Sequence, residues 1–577
     1  MRTYLKLLAC ILLIVSAVLV QGCIGTPDPG SDTNPSVTDV PAPKELAIVS
    51  DGAAAYTVIV REDASDAQSA AARSVVAAIE DVTGVKPQWT DDYVAKGEAP
   101  LAKEILVGLT SREESLQVMG DLKYGEYAIR IVGEKIVIAA WDDVSLAEAC
   151  RVFVEQMQQL SGAGQLKLPH TYTAQDTGFE ALLQLPRYGA EDESVQFVDL
   201  ADECYLLYAD DTDEAEFQAY FDVLENAGYT RFSARQMGDN LYATYVSDTK
   251  VINASYTASK KDARIAIEDA YDLTLFTEQE YEKVCEPTVT LVGQEVKVGD
   301  SWVNNALCLV FRLEDGRFIV VDSGYSAFSV GQLNKTFRSL HVNEGKITVA
   351  AWIFTHAHSD HTGGFTSLTN TSYKNGIVVE NFVHHFVSDA QHNAIDGSGS
   401  GPKTRTAMLE YPGANIIKAH TGQVIKAGGV EIEMLFTYAD MEPEKLDEMN
   451  TTSLVFRVTA QDNSVMVLGD ASNRSLRYLI STYGDYLKSD MVQIAHHGYN
   501  GVAEAYSRID ADVILWPGGV DQFYGRQDYY RLMDWEFNKR ALELADECYV
   551  AGDSIYTLTM PYQPESISPV KIYDGEN

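Results

Sequence analysis

The sequence predicts an α/β protein of three successive folded units, and three observations point that way. Residues 45–175 alternate apolar strands with helical stretches, and residues 195–285 do so on a smaller scale. From residue 287 onward, short apolar strands each end in a side chain able to hold a metal or move a proton. Strands alternating with helices form sheets covered by helices. With 577 residues, 46% of them hydrophobic, the chain can bury several cores, and its length suits three or four domains.

The chain opens with a short basic stretch, Met1-Arg-Thr-Tyr-Leu-Lys6, followed by an apolar run from Leu7 to Val20. That run is too short to span a bilayer comfortably and suits a secretory signal. It ends in Val20-Gln-Gly-Cys23, which resembles a bacterial lipobox, although Gln is not the commonest choice at its position. The resemblance implies cleavage before Cys23 and lipid attachment to its thiol, over residues 1–23. An ordinary cleaved signal or an uncleaved anchor is the alternative. Residues 24–44, rich in Pro, Gly, Ser, Thr and Asp, read as a flexible tether. The expectation is an exported protein at the outer face of the bacterial cytoplasmic membrane, or extracellular, touching the membrane through its lipid anchor only.

The first unit, residues 45–175, places strands at Tyr56-Thr-Val-Ile-Val60, Glu104-Ile-Leu-Val107, 127–132 and 135–140, and helices at 66–83 and 145–160. Asp63-Ala-Ser-Asp66 supplies the N-cap of the first helix. The unit resembles the small α/β domain that precedes the catalytic barrel in some exported glycoside hydrolases. The match rests on an Ala-rich helix ending Val82-Thr-Gly-Val85, on Ile105-Leu-Val-Gly108-Leu-Thr and on Lys135-Ile-Val-Ile-Ala-Ala. This implies an accessory role. The second unit, residues 176–286, is expected to be a small α/β domain with a helix at 213–227 and strands at 241–246 and 263–267. Its many acids read as a solvated face.

The third unit, residues 287–577, carries the chemistry. Residues 355–364 read Thr-His-Ala-His-Ser-Asp-His-Thr-Gly-Gly, directly after the apolar run Val349-Ala-Ala-Trp-Ile-Phe354. Imidazoles and a carboxylate at this spacing suit Zn²⁺ and related first-row ions and leave coordination positions open for water. Three further strands follow the same grammar, ending at Asp322-Ser-Gly324, Gly469-Asp470 and His496-His-Gly498. Two cations about 3.5–4 Å apart can bring the pKa of a shared water near neutrality and polarise a carbonyl or phosphoryl oxygen. His356 and His358 are assigned to one metal. Asp360 and His361 are assigned to the other, with Asp470 bridging. Either His496 or His497 completes the set, because neighbours at a strand end point in opposite directions. His496 is taken as the ligand, and His497, with Asp360, as catalytic, the imidazole acting as a hydrogen-bond partner or as a proton donor to the leaving group. Asp322, His420 and Tyr499 are candidates to ligate or line the site, and His384, His385 and His392 are further candidates for an extra ligand.

These motifs resemble the metallo-β-lactamase superfamily, and within it the ComEC-like branch that includes phosphorylcholine esterase-type enzymes. The branch resemblance rests on Asn450-Thr-Thr-Ser453-Leu-Val-Phe, Gly469-Asp470 and His496-His-Gly498. It implies an αββα sandwich with a two-metal hydrolytic site at one edge. The expected cofactors are two divalent ions, Zn²⁺ with Mn²⁺ or Fe as alternatives. The aromatic stretch after Trp516 (Phe523, Tyr524, Arg526, Tyr530) reads as substrate pocket or as ordinary packing, and residues 547–552 and 554–559 as a closing hairpin around Asp553.

The formal charge of −40 argues against a general nucleic-acid-binding surface, because neutralising phosphates requires Lys and Arg. Beyond Cys10 and Cys23, the cysteines are scattered without a Cys-x-x-Cys pair, so free buried thiols are expected. The expected activity is metal-dependent hydrolysis by an activated water, on an ester or phosphodiester of a cell-envelope or extracellular polymer. Extracellular nuclease and lactone or lactam hydrolase are the alternatives. A surface-binding protein with a purely structural metal is the alternative of a different class.

Overall fold

The computed structural model describes residues 45–563 apart from 123–125, 142, 161–163, 178–184, 187, 190–194, 295, 299–300, 304 and 527–529. The expected leader and tether, with Cys23, lie outside the described residues. Among those described, no helix is long and apolar enough to cross a membrane.

The first unit is a six-stranded mixed sheet with Thr57–Val60, Glu104–Val107 and Lys135–Ala140 parallel at its centre. Helices Asp66–Thr83 and Asp143–Gln159 cover one face through a buried cluster that includes Val75, Ile79, Phe153 and Met157. Ser65 caps the first helix, accepting from the Gln68 N–H, while the Gln68 side chain returns to the Ser65 backbone; Gly84 ends the helix in the left-handed region.

The second unit is a six-stranded, wholly antiparallel sheet packed by the helix Glu214–Asn226. Its last four strands, Thr230–Met237 to Asp262–Asp269, form a meander, and the helix carries the chain from Tyr205–Ala209 to the far edge of the sheet. Strands Thr230–Met237 and Lys250–Thr257 were not anticipated. The first carries a polar, largely exposed sequence and holds its place as a sheet edge by pairing with Asn240–Val246.

The third unit is a four-layer sandwich. One sheet has eight strands and includes the parallel run Phe318–Asp322, Ile347–Ile353, Asn381–His384 and Asn415–Lys418. The other has seven and includes the parallel run Asn463–Val467, Met491–Gln493, Val513–Trp516 and Glu547–Val550. Their facing sides share one core, with Ile319, Val321 and Ile353 from the first meeting Phe456, Val467 and Leu515 from the second. Helices Ala327–Leu340 and Ser359–Leu368 cover the first sheet, and Asn473–Tyr483 and Ala503–Ile509 the second. The expected closing hairpin is not formed. Glu547–Val550 belongs to the seven-stranded sheet, whereas Ile555–Thr559 crosses over and pairs antiparallel with Thr288–Val292 in the eight-stranded one. Apolar periodicity locates both strands but carries no information on which sheet each joins.

The parallel strands bring Asp322, His356, Asp470 and the His496-His497 pair to one edge, where loops beyond strand carboxyl ends form a crevice. An aromatic bed stiffens the first of those loops. Phe365 packs edge-on to Trp352 and tilted against Phe354, at 4.9 and 5.2 Å between centroids. Such pairs contribute about 0.5–1.5 kcal/mol each beyond area burial. The helix that follows lies so close to the loop after Asp322 that a Cβ on Gly364 would sit 2.0 Å from the Ser323 carbonyl oxygen. Gly364→Ala is therefore expected to destabilise the domain by about 1–3 kcal/mol, read as a lowered Tm in thermal unfolding. An unchanged Tm would contradict this packing.

Candidate metal centre

The ligand-bearing loop runs from a strand end into the first turn of a helix. His356 follows Ile347–Ile353, His358 is the N-cap residue of Ser359–Leu368, and Asp360 and His361 occupy the first turn. The His361 carbonyl accepts from both the N–H and the Oγ of Ser323, at 2.7 and 2.8 Å, which fixes that turn to the neighbouring strand end. In this arrangement His356 Nε2 and His358 Nδ1 approach to 2.8 Å.

Two groups of donor atoms result, each gathered within 4.8 Å: His356, His358 and Asp470, and Asp360, His361, Asp470 and His497. Asp470 belongs to both. One of its oxygens lies 3.2 Å from His361 Nε2, and the other 3.5 Å from His497 Nε2 and 4.0 Å from His356 Nε2. His497 Nε2 is also 3.4 Å from Asp360. The donor set fits metal ions. His361 Nε2, His497 Nε2 and Asp470 Oδ1 are all buried with no hydrogen-bond partner among the described residues. His361 Nε2 and Asp470 Oδ1 are thus close but not aligned as donor and acceptor, the geometry of two ligands facing a common ion. Buried polar atoms of this kind are otherwise paired. The outer nitrogens are already engaged: His361 Nδ1 with Asp322 at 2.7 Å and His497 Nδ1 with the Pro517 carbonyl at 2.7 Å. Each of these bonds sets the tautomer that leaves Nε2 with a lone pair for a metal.

Charge follows the same plan. Burial, with repulsion from His361 and His358, holds the His356 pKa well below the usual imidazole value. Against the cost of burial, Asp470 and Asp322 drive His361 far up, and Asp470 and Asp360 push His497 up to about 9. Asp470, although buried, is held far below the normal carboxylate range by His361 and His497. Without an ion, protons on His361 and His497 neutralise these carboxylates, and a divalent cation takes over that role on binding.

Several expected roles are redistributed. His497, 1% exposed, joins the four-residue group, whereas His496 stands at the mouth with its side chain 31% exposed and Nε2 3.8 Å from Asp470. The assignment of His496 as ligand and His497 as partner is thus exchanged. The alternation argument failed because both residues are left-handed, with φ of 49° and 53°, so both rings turn toward Asp470. The turn needs Gly498, where φ is 88° and a Cβ would meet the Trp516 ring at 2.2 Å. Trp516 is accordingly buried packing. Asp322 does not reach the donor groups; it sits behind them, fully buried, bonded to His361 and accepting from the Thr355 N–H and hydroxyl. His420 lies away from the centre, beside Cys204 and Glu268. His384 and His385 are both buried outside the donor groups, and His392 pairs with Asp396. Tyr499 is placed beside His496, with ring centroids 6.2 Å apart.

Two neighbours were missed. Asn450 Nδ2 lies 3.3 and 3.4 Å from the two ring nitrogens of His496, and its Oδ1 is buried without a hydrogen-bond partner among the described residues. Asn450 was read only as part of a motif, although its place just before a strand of the second sheet could have flagged it. Asp396, 3.7 Å from His358 Nε2, sits in a Gly/Ser-rich loop that gave no signal.

Two outcomes are expected. Asp322→Asn should weaken Zn²⁺ affinity by about 10- to 100-fold while the protein stays folded, as measured by competition with a chromophoric chelator; unchanged affinity would remove Asp322 from its supporting role. Because His497 carries a proton below about pH 9 in the ion-free protein, Zn²⁺ must displace it. Apparent affinity should therefore fall as pH drops below that value, with proton release visible as buffer-dependent binding heats. Binding heats independent of buffer would contradict this.

Residues 302–518 match the family model described as the metallo-beta-lactamase superfamily. No curated protein matches the chain. Among solved structures it is similar to a diphosphatase from the PhnP family at 12% identity, over 40% of this chain and 85% of that one, with a TM-score of 0.25. It is also similar to unliganded yeast PDE1 at 12% identity, over 48% and 99%, with a TM-score of 0.30. A third is CmlA, a diiron beta-hydroxylase from Streptomyces venezuelae, at 10% identity, over 51% and 55%, with a TM-score of 0.26. The family match falls on the sandwich that gathers the His and Asp donors, so the chain carries a metallo-beta-lactamase superfamily domain at residues 302–518.

Proposed function

We propose that this is an exported, surface-anchored hydrolase that cleaves a phosphodiester or related ester of an envelope or extracellular polymer. The observation that carries the reading is the sharing of Asp470 between two donor groups whose outer members, His358 and Asp360, keep side-chain exposures of 26 and 29%, with His496 beside them at 31%. A purely structural metal site is closed and needs neither feature. When bound, the two ions would supply an activated water and neutralise charge developing on the substrate.

The chain's own residues divide the remaining work. Asp470 and His361 are held rigidly from two sheets, with Asp322 behind. Burial keeps the His496 pKa below the usual imidazole value, so the ring is neutral near pH 7. Oriented by Asn450, His496 is the group at the mouth that exchanges a proton with the substrate, in place of His497, which is sealed in. Beyond it, Tyr499 packs on Trp535 and Trp535 on the 78% exposed Tyr530, giving an aromatic margin suited to a sugar ring or a cationic headgroup.

Export and lipid anchoring are supported by the basic start, the apolar run and Cys23 in the sequence. The ComEC-like motifs favour a phosphodiester. An extracellular nuclease, which the ComEC-like motifs also imply, is the nearest alternative; the −40 charge argues against a general nucleic-acid-binding surface but not against a nuclease, since the metals would themselves attract phosphate.

The test is turnover of bis-(p-nitrophenyl) phosphate, p-nitrophenyl phosphorylcholine and nitrocefin by the purified chain, with and without chelator. Chelator-sensitive cleavage of a phosphodiester is expected, reduced at least about 100-fold in His358→Ala and Asp470→Ala without loss of fold elsewhere. Full activity in both variants would sink the assignment of the site, and cleavage of nitrocefin alone would sink the phosphodiester reading.

A further inference from the structure

Where the second unit meets the catalytic domain, three metal-affine side chains converge from three separate segments. Cys204 follows a turn of the second unit, Glu268 lies on the strand Asp262–Asp269, and His420 follows the strand Asn415–Lys418 of the catalytic domain. Their ligand atoms lie within 4.8 Å of one another, and the residues are 0, 7 and 4% exposed. His420 Nε2 is 3.0 Å from a Glu268 oxygen and 3.9 Å from Cys204 Sγ. Tetrahedral Zn²⁺ with ordinary bond lengths would hold N and O about 3.4 Å apart and S and N about 3.6 Å apart, so small adjustments would seat an ion.

Two further features set this cluster apart from a chance meeting. The turn that delivers Cys204 holds Ala201, Asp202 and Glu203 in succession at φ of 65, 56 and 58°, a costly run for residues other than glycine. Among the described residues Glu268 also has no Lys or Arg partner, only the imidazole of His420. Lys418 and Arg405, the nearby cations, are both engaged by Asp202 of that same turn. Among the described residues Glu268 keeps His420 and an amide of Asn253 at 3.4 Å. Burial and the neighbouring Glu268 push the Cys204 thiol far up, against the pull of Lys418. A divalent ion would balance one thiolate and one carboxylate, with neutral imidazole as third donor.

We propose that Cys204, Glu268 and His420 form a second, independent metal site, selective for a thiolate-preferring divalent cation such as Zn²⁺, which clamps the second unit onto the catalytic domain. Thiolate and imidazole together favour Zn²⁺ over the hard cations. Enclosure at the interface makes the site a clamp and not a second hydrolytic centre. The catalytic donor groups contain no cysteine, which separates the two sites experimentally.

The probe is Co²⁺ added to the full chain after metal removal, because a thiolate ligand gives a charge-transfer band in the near ultraviolet that His and Asp ligands do not. The band is expected in the wild type and in Asp470→Asn. It should be lost in Cys204→Ser and His420→Gln, with Zn²⁺ content lower by one equivalent in each. Absence of the band in the Co²⁺-loaded wild type would overturn the proposal and leave a metal-free His420–Glu268 ion pair. Its persistence in Cys204→Ser would overturn it equally. Should either variant fail to fold, the wild-type spectrum and Glu268→Gln, which keeps the side-chain shape, still decide; an unaltered band and Co²⁺ affinity in Glu268→Gln would refute the ligand set.

Discussion

The carboxylate of Asp470 is the point on which the catalytic domain depends. It is 1% exposed, and an isolated charge at that depth would be costly. Imidazoles from both sheets surround it, so the same group that must be neutralised draws the two sheet edges together. Its backbone is braced to match. Gln493 accepts from the N–H groups of Leu468 and Gly469 and donates back to the Gly469 carbonyl, while Ser453 accepts from the Asp470 N–H. A carboxylate held this tightly keeps two oxygens in fixed directions, which sharing between two ions requires.

The second unit is joined to this domain by buried polar contacts as much as by apolar ones. Arg264, 5% exposed, pairs with Asp262 on its own strand and donates to the carbonyls of Ala439 and Glu442 across the interface. Asn240 donates to the Thr482 carbonyl, and the Tyr242 and Tyr483 hydroxyls are bonded at 2.7 Å. Removing such an interface would strand these groups without partners, a cost that holds the two units together.

Much of the centre could be read from residue order, because HxHxDH, Gly-Asp and His-His-Gly are local patterns whose chemistry depends on spacing alone. Strand and helix positions in the first unit were likewise legible, since Ser65, Gly84 and the apolar alternation are local signals. What the sequence withheld was direction and pairing. The choice between His496 and His497 turned on two positive φ values that no composition announces. His420 resembled a ligand by type, yet the partner that captured it, Glu268, lies 152 residues earlier. Asp322 carried the right chemistry at the right strand end but one layer further back. In each case the deciding contact was a tertiary one.

The strand Ile555–Thr559 leaves the sheet of its predecessor and closes against Thr288–Val292, pairing residues as far apart as Thr288 and Thr559. Loop closure on that scale makes for slow folding. A ribosome or a translocation channel delivers this chain from its beginning, so the first strand of the catalytic sandwich must wait for nearly the whole domain to emerge before its edge is covered. The two preceding units can complete their cores during that interval. Exposed strand edges invite pairing with other chains, and for this protein the hazard would be concentrated in the delay between the emergence of Thr288 and that of Thr559.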